Sequence, residues 1–356
     1  MKIVSIVGAR PQFIKAAPVS KQIRKKHQEI LLHTGQHYDK ELSKIFFDDL
    51  KIPKPDYNLG IGSDSHAKQI GKMLIEIEKV LLKEKPDFVL VYGDTNSTLA
   101  GAISAAKLQI HVAHVEAGLR SFDRRMPEEL NRVMTDHISN ILFCPTETAI
   151  KNLKKEGIVK GVFNIGDVMV DVLLNNLRLA ARSKILTKLG LKKDQYLVAT
   201  IHRPSNTDNK DNLKNIVEAF IGSEKKIIFP VHFRTQKYLR KFKLLIKLNR
   251  SKNVKAIDPI GYYDFLWLMN NSKKILTDSG GIQKEAYILA KPCITLRENT
   301  EWVETIEEGW NVLVYTNKKK ILKAILDFNP IKPPKKLYGD GKASVEIVKI
   351  LEKGKI

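Results

Sequence analysis

The stretch "DFVLVYGDTNSTLAGAISAAKLQIHVAHVEAG", residues 87–118, contains two apolar runs separated by a segment rich in small residues. The apolar runs lack polar alternation, which is typical of strands that are buried on both faces of a parallel sheet. Between them, Leu99, Ile103 and Ala106 recur at helical spacing, and the small residues allow close packing on a sheet. The stretch therefore predicts a strand, a helix and a second, parallel strand.

The same alternation continues outward from this unit in both directions. The apolar runs are "KIVSIVG", "EILLHTG", "DFVLVYG", "HVAHVEAG", "ILFCPT", "YLVATIH", "KIIFPVH", "VKAID", "KILTDSG" and "PCITLRE". A long helical connection is predicted at residues 168–190, before a second strand series begins at Tyr196. The fold class is therefore α/β, with two Rossmann-like doubly wound domains facing a cleft. We assign residues 1–170 and the C-terminal helix 342–356 to the first domain, and residues 171–341 to the second.

Composition narrows the function classes. The 356 residues are 43% apolar and carry a formal net charge of +22, but the basic residues are spread along helix faces, so nucleic-acid binding is not predicted. No run is long enough to cross a membrane, and no leader precedes the first strand, which predicts a cytoplasmic protein without membrane insertion. Cys144 and Cys293 lie in apolar contexts that predict buried free thiols. Neither the cysteines nor His33 and His37 match a metal-binding spacing, so no metal is expected.

Two segments that follow strands could bind an anion. In "GARPQFIK", residues 8–15, Gly8 permits a tight turn, and Arg10 and Lys15 could bind phosphate, although solvated cations are an equally good interpretation. In "TDSGGIQKEA", residues 277–286, the first three residues are natural helix caps. The two glycines would let an anion approach the start of a helix.

Acidic side chains follow the strands of the first half. Asp94, Glu116 and Glu128 could form an acid and base cluster, in which neighbouring carboxylates separate each other's pKa values. Asp94 could instead cap the next helix. His202, at a strand end of the second half, could donate a proton to a leaving phosphate, although a lone histidine is more often structural.

Eight motifs in order resemble the non-hydrolysing UDP-N-acetylglucosamine 2-epimerases: "GARPQFIKAAP", "TGQHYD", "GDTNST", "HVEAGLRS", "PEELNR", "PTET", "HRPSN" and "DSGGIQKEA". They span nearly the whole chain. The resemblance implies a glycosyltransferase-B type of fold and epimerisation at carbon 2 of UDP-N-acetylglucosamine, through elimination of UDP and its re-addition. It implies a UDP-sugar substrate, no cofactor and a homodimer, in a route to surface polysaccharide or glycan.

The resemblance also implies roles for individual residues. The proposed catalytic residues are Asp94, Glu116, Glu128 and His202, and the substrate-binding residues are Arg10, Lys15, Arg132, Phe265, Ser279, Gly280, Gly281 and Glu285. Among them, Ser279 and the two glycines would hold the diphosphate, Glu285 the ribose and Phe265 the uracil, although Phe265 could equally be a core residue. Gln36 and His37 match an allosteric substrate site of bacterial relatives.

One motif departs from the family pattern. After "TLRENTE", many of these epimerases continue with Arg-Pro-Glu, whereas this chain reads "TEWVET" with Trp302 in place of the arginine. This motif is similar to that of relatives that act on modified UDP sugars such as 2,3-diacetamido uronic acids. A UDP-sugar glycosyltransferase would use the same fold and the same UDP site. A hydrolysing epimerase is a further alternative, although "GARPQ" and "HVEAGLR" favour the non-hydrolysing branch. A basic nucleic-acid scaffold would explain the charge but leave the acidic cluster unexplained.

Overall fold

The computed structural model describes residues 1–36 and 53–354, except for the side chain of Arg10. The chain divides into two compact units, one formed by Met1–Leu174 with Leu337–Ile356 and the other by Asn175–Lys336. The boundaries lie a few residues from those expected at 170 and 341.

Each unit contains one parallel sheet. The first sheet has the order β3-β2-β1-β4-β5-β6-β7, and the second has the order β10-β9-β8-β11-β12-β13. The first sheet comprises β1 (Lys2–Val7), β2 (Gln28–His33), β3 (Tyr57–Asn58), β4 (Phe88–Tyr92), β5 (His111–Val115), β6 (Ile141–Cys144) and β7 (Val162–Asn164). The second comprises β8 (Leu197–Thr200), β9 (Ile227–Pro230), β10 (Val254–Ile257), β11 (Lys274–Thr277), β12 (Cys293–Thr295) and β13 (Asn311–Leu313).

Helices alternate with the strands in both units, as expected for doubly wound sheets. The helices before β8 are α1 (Arg10–Ile23), α2 (His66–Glu84), α3 (Asn96–Lys107), α4 (Pro127–Ile138), α5 (Glu147–Lys155), α6 (Val168–Ala180) and α7 (Ile185–Leu189). Those after β8 are α8 (Pro204–Thr207), α9 (Lys210–Gly222), α10 (Phe233–Lys241), α11 (Leu244–Asn249), α12 (Tyr262–Asn270), α13 (Gly280–Ile288), α14 (Val303–Glu307), α15 (Lys318–Asp327) and α16 (Ala343–Lys353).

The cores lie between the sheets and their helices. In the first unit, α1 and the C-terminal helix α16 cover one face of the sheet, and α2 and α3 cover the other. The second unit has its own core, built from strands β8, β9, β11 and β12 with helices α9 and α15. The strands are buried on both faces because helices cover both sides, which explains their near-continuous apolar sequences.

All ten predicted strands form, and the α/β fold class is confirmed. Within the described residues, sequence analysis missed three strands, β3, β7 and β13. They have only two or three residues each, too few to show a pattern. The predicted long connection is two helices, since the chain turns between Ala180 and Ile185. Cys144 and Cys293 are buried free thiols, as predicted.

Candidate active site

Each sheet has a switch point where successive connections leave in opposite directions. In the first sheet this point lies between β1 and β4, and in the second between β8 and β11. Ligands of doubly wound folds bind beyond the carboxyl ends of the strands at such points. The segments that follow these four strands are the ones that begin at Gly8, Gly93, Ile201 and Asp278. The fold thus carries the motif residues to the expected edges.

Lys15 and Glu116 form an ion pair at the first switch point, with side chains 15% and 12% exposed. Burial works to lower the pKa of Lys15, but the adjacent Glu116 carboxylate outweighs it, so this pKa is raised. A Cβ on Gly93 would lie 3.4 Å from Glu116 Oε2 and 3.5 Å from Lys15 Nζ. The pair therefore lies directly against the turn that precedes Asp94.

The backbone of Glu116 has a φ of 76°. This value lies in the left-handed region, which residues other than glycine and asparagine rarely adopt. Its backbone N–H donates to the carbonyl of Phe143 on the neighbouring strand, which helps to hold this conformation. Strained backbone of this kind clusters at functional sites, because the surrounding structure must be built to maintain it. The strain marks Glu116 as a candidate for chemistry.

Arg132 connects two carboxylates beside this pair. Its Nη1 donates to Asp94 Oδ2 at 2.5 Å, and its Nε and Nη2 donate to Glu129 Oε2 at 3.0 and 2.8 Å. Asp94 therefore does not cap the next helix, since that position is held by Thr95, whose hydroxyl accepts from Thr98 N–H. Arg132 can balance negative charge in the site and fix the Asp94 carboxylate.

Glu128 and Glu129 are adjacent in sequence but differ in environment. Glu129 is 2% exposed and accepts from the backbone N–H groups of Ser121 and Phe122 at 2.9 Å. Burial works to raise the pKa of Glu129, but these bonds and Arg132 lower it overall. Glu128 is exposed at the start of α4, and within the described ranges its carboxylate has no hydrogen-bond or ion-pair partner. Glu128 is thus not brought into the ion-pair network.

A buried network that sequence analysis missed lies beneath the Glu116 segment. His114 places Nδ1 2.7 Å from Asp136 Oδ1 and Nε2 2.7 Å from the carbonyl oxygen of Gly93. Asp136 also accepts from Gly118 N–H at 3.0 Å and from Arg120 Nη1 at 2.7 Å. Burial opposes ionisation of Asp136, but His114 and Arg120 lower its pKa overall. The network ties the turn before Asp94 to the loop that carries Glu116.

The segment after β1 is held by Gln12, which sequence analysis also missed. Gln12 Oε1 accepts from the N–H groups of Gly8 and Ala9 at 2.8 and 3.0 Å, and its Nε2 donates to the carbonyl of Tyr92 at 2.7 Å. The φ of Gly8 is not positive, so its backbone conformation does not by itself require glycine. The reason for glycine is instead that a Cβ there would collide with Ser97 Oγ.

Arg10, Gln36 and His37 are described by the structure to different extents. Arg10 begins α1, but its side chain lies outside the described part of the structure, as does His37 entirely. Gln36 Oε1 accepts from Ser97 N–H at 3.0 Å and from Ser97 Oγ at 2.6 Å, which links Gln36 to the start of α3.

Asp167 is a further acidic residue near this site that sequence analysis missed. It is 3% exposed, and its negative charge helps to raise the pKa of Lys15. Its sequence signal was weak, because Asp167 follows β7, a strand of only three residues that shows no apolar pattern. The fold therefore places a third carboxylate within electrostatic range of the Lys15 ammonium, besides Glu116 and Asp94.

At the second switch point, Asp278 organises the segment that follows β8. It is fully buried and accepts from the backbone N–H groups of His202 and Arg203 at 3.0 to 3.1 Å, and from Asn206 Nδ2 at 3.0 Å. Of the three candidate caps, Ser279 is the N-cap residue, whereas the oxygens of Asp278 are used in these bonds. Asp278 instead joins the loop of β8 to that of β11.

His202 lies on this loop with its side chain 38% exposed. Its Nδ1 is 3.5 Å from Asp278 Oδ1, and its ring centroid is 5.7 Å from that of His232. Burial lowers the pKa of His202, while the negative charge of Asp278 opposes this and His232 and Arg203 reinforce it. The imidazole is therefore held at the sheet edge with its ring partly open to solvent.

The glycines of "DSGGIQKEA" begin α13. Ser279 is the N-cap residue, although its side chain makes no capping hydrogen bond, and Gly280 and Gly281 form the first turn. The N–H groups of such a turn have no intrahelical partners and favour an anion. Glu285, further along the helix, is held in surroundings where burial raises its pKa to about 7. Phe265 is half-buried on α12 and is not part of the described apolar cores.

Two classes of feature are absent from the described ranges. No group of three or more His, Cys, Asp or Glu side chains there is arranged to hold a metal ion. No described helix combines the length and apolar character needed to cross a membrane.

The two doubly wound units, each with charged side chains at its switch point, define a two-domain α/β protein of the glycosyltransferase-B type. The sequence profile of UDP-N-acetylglucosamine 2-epimerases matches residues 21–352. The chain belongs to the UDP-N-acetylglucosamine 2-epimerase family, which confirms the resemblance carried by its eight motifs.

Individual relatives match over nearly their whole length. The chain is 63% identical over 354 residues to a UDP-N-acetylglucosamine 2-epimerase homolog of Methanococcus maripaludis, covering 99% of both chains. It is 48% identical to the UDP-2,3-diacetamido-2,3-dideoxy-D-glucuronate 2-epimerase of Pseudomonas aeruginosa, covering 99% of this chain and 100% of the relative. Among solved structures, the UDP-GlcNAc 2-epimerase of Methanocaldococcus jannaschii in complex with UDP-GlcNAc and UDP is 51% identical. Its TM-score is 0.80, and the match covers 99% of this chain and 100% of that one.

Proposed function

We propose that this protein is an isomerase that interconverts UDP-N-acetylglucosamine and UDP-N-acetylmannosamine without hydrolysing them. The observation that carries the proposal is the Lys15–Glu116 ion pair, held beside Asp94 on strained backbone at the first switch point. Membership of the epimerase family supports it. So does the 51% identical relative in complex with UDP-GlcNAc and UDP.

The chemistry explains why carboxylates and cations are needed together. Carbon 2 of the sugar bears a hydrogen that no adjacent carbonyl acidifies, so direct deprotonation is unfavourable. Departure of UDP from carbon 1 as the carbon 2 proton is removed gives 2-acetamidoglucal and UDP. Re-addition of UDP, with a proton delivered to the other face of carbon 2, gives the epimer. A base, an acid and donors that stabilise the departing diphosphate satisfy these steps.

The first unit supplies the proposed proton-transfer groups. Glu116 forms an ion pair with the Lys15 ammonium. The charge of Asp94 also acts on Lys15, and Arg132 donates a hydrogen bond to Asp94. Glu128 is included because its motif matches the family, and its exposed position leaves the carboxylate accessible to a substrate. The base and the acid are assigned to this group of carboxylates rather than to one residue of it.

The second unit supplies the proposed UDP site. Ser279, Gly280 and Gly281 would bind the diphosphate through the N-terminus of α13, and Glu285 would accept hydrogen bonds from the ribose. His202 is proposed for the leaving phosphate. The side chain of Arg10, which belongs to the first unit, is proposed for the same role. Phe265 is proposed to contact the uracil, which its half-buried position permits.

A second candidate substrate is a UDP-2,3-diacetamido uronic acid. The Pseudomonas relative named for that sugar is 48% identical over almost the full length. Trp302 occupies the position where many epimerases of N-acetylglucosamine have arginine. Epimerisation at carbon 2 would proceed through the same elimination, because the leaving group and the acetamido substituent are the same.

We also propose that the protein is a homodimer that works in the cytoplasm and supplies polysaccharide or glycan synthesis. Support for the dimer comes from α4 and its N-cap residue, where Met126, Leu130 and Met134 recur every four residues and are each 38–44% exposed. Phe122, 73% exposed, precedes this helix. An apolar stripe of this kind is typical of a surface covered in an assembly. Sedimentation velocity of the wild-type protein and of Leu130→Glu measures the dimer directly.

Proton NMR of UDP-N-acetylglucosamine incubated with the protein in deuterated water tests the reaction. We expect UDP-N-acetylmannosamine with deuterium at carbon 2, and the recovered substrate should exchange as well. Release of free sugar would indicate hydrolysis instead. If UDP-N-acetylglucosamine is unchanged but the UDP-2,3-diacetamido uronic acid exchanges deuterium at carbon 2, the substrate is the uronic acid instead. Absence of exchange in both would contradict the epimerase assignment.

A further inference from the structure

The segment from Arg297 to Thr305 lies against the first turns of α13. Thr300 Oγ1 donates to Gln283 Oε1 at 2.5 Å, and Arg297 Nη1 forms an ion pair of 2.8 Å with Glu301. A Cβ on Gly280 would collide with Glu301 Oε1. This segment carries Trp302, so its contacts show how that side chain is packed in this chain.

Trp302 spans one turn of α13. A Cβ on Gly280 would lie 3.6 Å from Trp302 Nε1, and the Lys284 ammonium lies 4.6 Å from the centroid of the Trp302 ring. Gly280 and Lys284 are four residues apart, so they share one face of the helix. Lys284 is only 6% exposed. A nearly buried ammonium over an indole face is a strong form of cation–π contact, because little water competes with the ring.

Lys284 is also the neighbour of Glu285. Burial raises the pKa of Glu285 to about 7, and the positive charge of Lys284 opposes that rise. Tyr262, on α12, faces the same carboxylate, and its pKa is raised by burial and by the charge of Glu285. The segment from Arg297 to Thr305 adds two more carboxylates, Glu301 and Glu304. Of the titratable side chains named here, Lys284 is the one whose positive charge favours ionisation of Glu285.

We propose that Trp302 is a positioning residue of the nucleotide site, which holds the Lys284 ammonium beside Glu285 and the first turn of α13. The inference rests on the proposed function, in which Glu285 binds the ribose of a UDP sugar. In this chain the charge is on α13, and the indole ring fixes its position.

UDP binding, measured by calorimetry between pH 6 and 9, tests the proposal without requiring turnover. Wild-type affinity is expected to rise as the pH increases through about 7, because the ionised Glu285 is the better acceptor for ribose hydroxyls. Trp302→Ala and Lys284→Met should each bind UDP about tenfold more weakly at pH 7, the loss of one desolvated cation–π contact. In both variants the midpoint of the pH dependence should move to higher pH. The double variant should bind no more weakly than either single one, because the two side chains act together.

Two controls separate positioning from folding. Trp302→Phe keeps an aromatic face and should stay within about threefold of wild-type affinity, since a phenyl ring also attracts a cation. Lys255→Met removes an exposed lysine on β10 and should leave both affinity and midpoint unchanged. Near-ultraviolet circular dichroism establishes that each variant retains its packed structure.

The outcomes distinguish this inference from the proposed function. If the wild-type protein binds no UDP, the proposed function and the inference both fail. If the wild type binds but Trp302→Ala and Lys284→Met match it, the inference alone is wrong. Weaker binding with an unchanged midpoint would also overturn it, because a purely structural contact would lower affinity without altering the titration of Glu285.

Discussion

At the scale of single residues, charge and backbone conformation select the candidate chemistry. Glu116 occupies a left-handed backbone position and pairs with Lys15, whose pKa is raised by that carboxylate against the effect of burial. Glu285 has the opposite character, since burial raises its pKa to about 7. Glu116 is paired with a cation, whereas Glu285 has a pKa close to neutral pH.

Replacement of Glu116 by glutamine is expected to slow epimerisation by about 10²–10⁴-fold, the usual loss when a proton-transfer group is removed. UDP affinity should be retained, because the proposed nucleotide site lies on α13 in the other unit. Initial rates of deuterium incorporation at carbon 2 measure the effect. Glu78→Gln, an exposed position on α2, is the matched control. Normal turnover of Glu116→Gln would remove this residue from the mechanism.

Replacement of Glu285 by glutamine is expected to stabilise the ligand-free protein in a pH-dependent way. Because the folded-state pKa is raised from 4.5 to about 7, the folded protein binds more protons than the unfolded chain between these values, and its stability falls as the pH rises through this window. A shift of this size corresponds to about 3 kcal/mol.

Urea unfolding at pH 5 and pH 8 measures this effect. The gain of Glu285→Gln over the wild type should be larger at pH 8, while Glu307→Gln, exposed on α14, should show no such change. Equal gains in the free energy of unfolding at both pH values would mean that ionisation of Glu285 does not destabilise the folded protein.

At the scale of elements, close packing decides where glycine is required within helices. Gly71 in α2 and Gly101 in α3 are both helical, and helix propensity alone would favour alanine at both. A Cβ on Gly71 would meet open space, whereas one on Gly101 would lie 2.8 Å from Ile6 Cδ1 and 3.1 Å from Val91 Cγ1. The second glycine thus allows α3 to approach strands β1 and β4.

Alanine substitution at the two positions should have opposite effects on stability. Gly71→Ala is expected to increase the free energy of unfolding by about 0.5–1 kcal/mol through helix propensity. Gly101→Ala is expected to decrease it by about 1–3 kcal/mol, because overpacking forces neighbouring side chains aside. Chemical denaturation of both variants checks the pair. Equal signs would show that packing at Gly101 relaxes without loss.

At the scale of the whole molecule, the chain returns to its first unit after completing the second. Helix α16 packs on that unit through Ile347, Val348 and Leu351. Its start is held by Asp171 of α6, whose carboxylate accepts from the N–H groups of Ala343 and Ser344 at 3.1 and 2.9 Å. One buried carboxylate thus ties the C-terminal helix to a residue far back in the sequence.

Asp171→Ala is expected to destabilise the protein by about 1–2 kcal/mol, the usual effect of losing a helix cap. The loss should appear in thermal unfolding as a lower midpoint, accompanied by faster proteolysis of α16. Asp340→Ala, exposed just before this helix, is the control. Unchanged unfolding of Asp171→Ala would mean that apolar packing alone holds the helix in place.

The sequence by itself determined the α/β class, ten of the strands and the family, because buried strands and ordered motifs are local patterns. Tertiary structure decided the rest. It made Glu129 the buried partner of Arg132 while leaving the adjacent Glu128 exposed. It also placed His114 between Asp136 and the turn before Asp94. These contacts join residues far apart in the chain, and only the packing of strands and helices brings such residues within hydrogen-bonding distance.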